Sequence, residues 1–156
     1  MRMNQRMKSS LGQADPADFA KGEKLSKELS HLLAQGFTDL DGTIIFTAMR
    51  NIANKVKPEN FLDKTAFECF VNHIHVEDQL EEPVLHRPKL LKQSIAFALT
   101  TERQLRSLFP AKPFNVIVAA SADSCGVPFH TTRPAEEWLA SDLDGYGEEA
   151  ILVLET

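Results

Sequence analysis

Past residue 113 the apolar residues stop recurring every three or four positions and start to run together. This change of period constrains the fold more than any other feature of the chain. The run FNVIVAA over 114–120 and the run AILVL over 150–154 are short and β-branched, so each reads as a strand buried on both faces. Between them, Asp123-Ser124-Cys125-Gly126 has turn chemistry, and 127–132 can return as an antiparallel partner. A short helix over 134–139, then a loop at Gly145 and Gly147, leads into the last strand.

Ahead of residue 113 the spacing is helical. Residues 1–14 show no periodicity and read as a mobile tail. Asp15-Pro16 has the form of an N-cap and first helical position, and Leu25, Leu29, Leu32 and Leu33 form a stripe that Gly36 stops. A second helix is expected over 43–56, with Ile45, Ala48, Met49, Ile52 and Val56 on one face. A third begins near Asn60 and gathers Phe67, Phe70, Val71 and Ile74; residues 70–77 fit either a helix end or a strand. A charged loop with Pro83 precedes Pro88, which opens the longest helix, carrying Leu91, Ile95, Ala98, Leu99, Leu105 and Leu108 inward. Helices first and strands last predict an α+β fold. About four helices precede a small, mainly antiparallel three-stranded sheet, and 15–156 form a single domain.

Composition narrows the class. At 156 residues, 43% apolar and 25% charged, the chain is globular stock large enough for one core. No apolar run approaches the ~20 residues that cross a bilayer, and the polar start MRMNQRMKSS lacks a signal peptide's apolar stretch. A cytoplasmic protein without membrane association is expected, and two distant cysteines fit reduced thiols.

Three patterns bear on chemistry. His73-Ile74-His75 on a strand would place both imidazoles on one face, where Glu77, His86 or His130 could complete a zinc shell; on a helix they diverge. Cys125 with His130 has the composition of a thiolate–imidazole pair, but Cys125 falls in a turn without a helix N-terminus to lower its pKa. Asp39-Leu40-Asp41-Gly42-Thr43 is similar to the nucleophile motif of haloacid dehalogenase-type phosphatases. That resemblance implies Asp39 as nucleophile, Asp41 as acid/base, Mg²⁺ between them and Ser121 as a second motif. Against it, 34–38 is not a buried strand, no lysine follows Lys112, and too little chain follows Ser121 for a doubly wound sheet. Capping of the expected helix at Thr43 by Asp39 or Asp41 accounts for the carboxylates more simply. No phosphate-cradling glycine cluster, serine elbow or CxxC occurs. No catalytic set, cofactor or metal is therefore assigned.

The charge is concentrated. From residue 114 onward there are eight acids and one base, Arg133, a net −7, whereas the preceding residues carry +2. Such a stripe repels nucleic acid and steers basic proteins. The stretch FHTTRPAEEWLASDLDGYGEEAILVLET resembles small acidic bacterial immunity proteins that neutralise polymorphic or contact-dependent toxins. The resemblance implies an inhibitor covering a basic, nuclease-like toxin surface. The leading expectation is thus a non-enzymatic binding protein that meets a basic protein through Glu136, Glu137, Trp138, Asp142, Asp144, Tyr146 and Glu148. The alternatives are a Mg²⁺-dependent hydrolase using Asp39 and Asp41, or a homo-oligomer without a catalytic site.

Overall fold

A computed structural model describes residues 1–80 and 87–156. The loop expected ahead of Pro88, with His86, lies outside the described residues. The chain runs β1 (Arg2–Met3), α1 (Gln5–Ser10), α2 (Pro16–Phe19), α3 (Lys27–Ala34), β2 (Phe37–Leu40), β3 (Thr43–Phe46), α4 (Arg50–Ala53) and α5 (Lys64–Val71). It continues through β4 (Ile74–His75), α6 (Arg87–Leu108), β5 (Phe114–Ala120), β6 (Cys125–Val127), β7 (Phe129–Thr131) and β8 (Ala150–Glu155). The class is α+β, but the expected count is overturned: the described residues hold six helices, a six-stranded antiparallel sheet and a separate two-stranded one.

The large sheet has the order β1-β8-β5-β6-β4, with β7 also on β5. The two apolar runs pair directly, from Asn115↔Glu155 to Ala120↔Ala150. β6 and β7 keep one register against β5 and amount to a single strand interrupted at Pro128. Proline has no N–H to donate, but its carbonyl still accepts from Ile117 N at 2.9 Å. Alternate residues of this sheet face two different layers. Val116, Val118, Phe129, Leu152 and Leu154 pack with Leu91, Ile95, Phe97, Ala98 and Leu105 of α6 in the main core. Ile117, Ile151 and Val153 face the other way and are covered by Leu143, with Leu139 and Tyr146 beside it. The acidic segment is therefore the lid on the sheet's second face.

Three expectations are corrected. The first 14 residues are not a loose tail. β1 pairs with β8, the Asn4 side chain caps α1 and takes the Ile151 N–H, and Met7 is fully buried. The helix expected over 43–56 is instead the β2–β3 hairpin followed by a 3-10 turn and the four-residue α4. Asp41 and Gly42, with φ of 50° and 85°, form its two-residue loop, the conformation for which Asp-Gly is favoured. Ile44 and Phe46 enter the main core while Ile45 enters a satellite core with Ala53, Phe67 and Val71, so every position is buried and no alternation shows. Finally, 134–139 is not helical: Ala135 takes φ 64° after Pro134, and Arg133 and Glu136 bridge across a tight turn.

Candidate partner-binding site

α5 fixes one end of the acidic segment with unusual chemistry. Glu68 and Asn72 lie one helical turn apart on the same face, both fully buried. The Glu68 carboxylate accepts from Ile44 N (2.6 Å), Thr131 N (2.7 Å) and the Thr131 hydroxyl (3.1 Å). Asn72 donates to the carbonyls of Ile44 and Phe129 and accepts from Phe46 N. Two side chains thus satisfy the facing edges of β3 and β7, which do not pair with each other.

Arg133 completes this joint. Its guanidinium grips Glu68 through both oxygens, at 2.8 and 2.9 Å, and reaches the Gly42 carbonyl at 3.0 Å. Burial works against the Arg133 charge, but the hydrogen bonds and charge of Glu68 outweigh it and hold the pKa above its ordinary value. The side chain is 15% exposed. The single base of the acidic quarter is therefore turned inward and neutralised.

The expected recognition residues divide into two groups. Glu136 is an internal tether: its carboxylate accepts from the backbone N and the hydroxyl of Thr65, at 3.0 and 2.8 Å. Asp142 caps Asp144 N (3.0 Å), Asp144 takes the N–H of Gln5 (2.7 Å), and the Tyr146 hydroxyl takes that of Ala140 (3.0 Å). These residues hold the lid together. Glu137, Trp138 and Glu148 are exposed, as are the outer faces of Asp142 and Asp144. Two bases border this surface: Arg2 pairs with Glu155, and Arg6 donates to the Gly147 carbonyl.

Under Trp138 lies a pocket of about 250 Å³. Its floor is the sheet's second face, with Asn115, His130 and Val153, and its rim carries Glu136, Glu137, Trp138 and Ser141. His130 is 3% exposed, and its Nδ1 donates to the Thr131 carbonyl at 3.0 Å. Burial lowers its pKa, with that hydrogen bond opposing, so the ring is neutral near pH 7 and Nε2 is the bare acceptor. The sequence marks His130 only as a candidate ligand or thiolate partner, and nothing in its local pattern marks the pocket. A larger cavity of about 600 Å³ lies beside α5, walled by Leu40, Ala53, Pro58 and Phe67, with Lys64 bonded to the Asp41 carbonyl.

The other sequence patterns have structural positions. Asp39 sits on β2, accepting from Gly42 N (2.7 Å) and paired with Lys112 (2.9 Å). The Lys112 hydrogen bond, then that of Gly42, lowers its pKa. It closes the hairpin rather than capping a helix, and Asp41 is in the loop. Ser121 closes the β5–β6 turn with Ser124. Arg133, the cation a phosphatase would need, is held by Glu68. His73, just ahead of β4, and His75 on it stack with ring centroids 4.7 Å apart. Glu77 bonds His75 and the Cys125 N–H, and among the described residues no group of three His, Cys, Asp or Glu is placed to hold a metal. Cys125 enters the main core while His130 lines the pocket on the opposite face, so the two do not meet. No helix among the described residues is long and apolar enough to cross a membrane.

No curated protein and no solved structure matches this chain. A family model does match, over residues 2–156, and the chain belongs to the Uncharacterized protein PM0498 family.

Proposed function

We propose that the protein is a non-enzymatic binding protein that captures a basic protein partner through the lid segment 133–149, and that neutralising a bacterial toxin is its specific form. The observation that carries this reading is the inward turn of Arg133. With that charge matched by buried Glu68, the lid exposes Glu137, Asp142, Asp144 and Glu148 along with Trp138, which is 42% exposed. An exposed aromatic anchor on a segment rich in acids suits a surface that steers encounter by charge and holds by desolvating the ring.

The lid is also rigid enough to recognise a shape. Its acids tie it to α5 through Glu136 and to α1 through Asp144. The test uses Glu137→Lys with Glu148→Lys, two exposed positions whose side chains form no hydrogen bond among the described residues, and an immobilised peptide rich in lysine and arginine. Association should slow markedly at low salt, with the difference shrinking as salt screens it. An unchanged low-salt rate would overturn the reading. Restoration of growth on co-expression with a toxin encoded beside this chain's gene, lost in the same variant, tests the specific form.

A further inference from the structure

The pocket under Trp138 has features that a plain acidic surface does not need. Its volume, about 250 Å³, is below the ~300–1,000 Å³ of small-molecule sites and is the size of one long side chain. Its floor holds a polar atom without a protein partner. His130 Nδ1 is engaged by the Thr131 carbonyl, and Nε2 forms no hydrogen bond among the described residues. The one fully enclosed side-chain polar atom lacking a partner there is Thr101 Oγ1, so Nε2 opens onto the pocket. A bare acceptor on a ring that is 97% buried calls for a donor from outside.

The charges around it select the donor. Arg2 and Arg133 line the pocket, but each already faces its own carboxylate, Glu155 and Glu68. Among the described residues no cation pairs with Glu137, and Trp138 beside it lines the same pocket. An anion would meet Glu137 and a lone-pair acceptor; a cation meets a carboxylate, an acceptor and a π face.

We infer that this pocket is the socket for one basic side chain of the partner, an arginine or lysine. Its head lies against Trp138 and Glu137 and donates an N–H to His130 Nε2. This rests on the proposed capture of a basic protein and specifies where a single residue of it is anchored. The apolar stem of the side chain would cover Ile117 and Val153 on the pocket floor.

Trp138 is the only tryptophan in the chain, so its fluorescence reports on this pocket alone. The full chain is titrated with Nα-acetyl-arginine methylamide and with the citrulline counterpart, which has the same shape without the charge. The arginine probe should give a saturable change, and the citrulline probe should bind about tenfold or more weakly, the worth of one charge-assisted contact. Glu137→Gln, at an exposed position, should weaken the arginine probe about fivefold or more. His130→Phe, which keeps the ring and removes the acceptor, should weaken it too; if that variant does not fold, Glu137→Gln decides alone. Equal titration by the two probes, or no saturation by the arginine probe, overturns the socket. A failed titration alongside the expected charge-dependent peptide association would overturn the socket and leave the capture surface standing. A successful titration with charge-independent peptide association would keep the socket and overturn the steering surface.

Discussion

Two helices hold the large sheet by opposite means, and the second also ties it to the two-stranded sheet. α6 runs 22 residues across one face and contributes Leu91, Ile95, Phe97, Ala98 and Leu105 to an apolar core. α5 is eight residues long and reaches β3 and β7 through a carboxylate and an amide, each fully buried and fully bonded. The first joint is held by area and is indifferent to small shifts, because burial energy has no direction. The second is held by geometry and works as a unit. Glu68 satisfies two backbone N–H groups and a guanidinium at once, and removing it strands all three. The molecule places its tolerant joint under the sheet and its exacting joint where the lid begins.

The largest expected effect breaks the polar joint. Glu68→Ala should cost about 3–5 kcal/mol in urea unfolding, as the loss of one partner of a buried ion pair does. A bare buried pair can be replaced by apolar residues with little loss. Here Glu68→Leu with Arg133→Met should stay about 2 kcal/mol or more below the parent, since the N–H groups of Ile44 and Thr131 remain unpaired. A double variant as stable as the parent would make the joint an ordinary ion pair and collapse the comparison. In the apolar joint, Ile95→Val should cost about 1 kcal/mol, with the fold and the lid's binding untouched.

Ala135 sharpens the contrast from the other side. It holds φ 64° in the turn that brings Glu136 back to Thr65, a conformation that costs a residue with a Cβ. Ala135→Gly should stabilise by about 1 kcal/mol, read as a raised melting temperature. The smallest effect belongs to an exposed pair, Asp39 with Lys112. Because the folded state lowers the Asp39 pKa, the contribution is present above the unfolded carboxylate's ~4 and lost as pH falls through the folded value. Asp39→Asn should therefore cost a few tenths of a kcal/mol, about 0.5 at most, at pH 7 and nothing in acid. A cost that persists at low pH would mean the hairpin loop, not the ion pair, was damaged.

What the sequence showed follows the same division. α6, β5 and β8 were legible because their apolar residues carry a clear period or an unbroken run. The hairpin was not. Ile44 to Phe46 is buried on both faces between two cores, which erases alternation, and Ile45, Ala48, Met49 and Ile52 happen to keep helical spacing. The available signal was Asp41-Gly42, a two-residue hairpin loop in its usual composition. β1 and α1 left no local trace, because Met3 and Met7 are ordered by a strand almost the whole chain away. Glu68 and Asn72 look from sequence like the wet side of a helix, and only the strand edges opposite them reveal their role. Of the site, Trp138 and the acids were visible as composition. The inward turn of Arg133 and the pocket at His130 depend on contacts between distant segments.

β8 has a consequence for how the chain comes off the ribosome. It is made after every other described strand, yet it sits inside the sheet, between β1 and β5. Until residues 150–155 emerge, one edge of β5 has no partner, β1 has nothing to pair with, and Ile117 lacks Val153 beside it. Synthesis therefore proceeds with a seven-residue apolar strand open along one side, the exposure from which aggregation starts. β8 fills that gap only after β5 has been made, and it brings β1 and the Asn4 cap of α1 the partners they need.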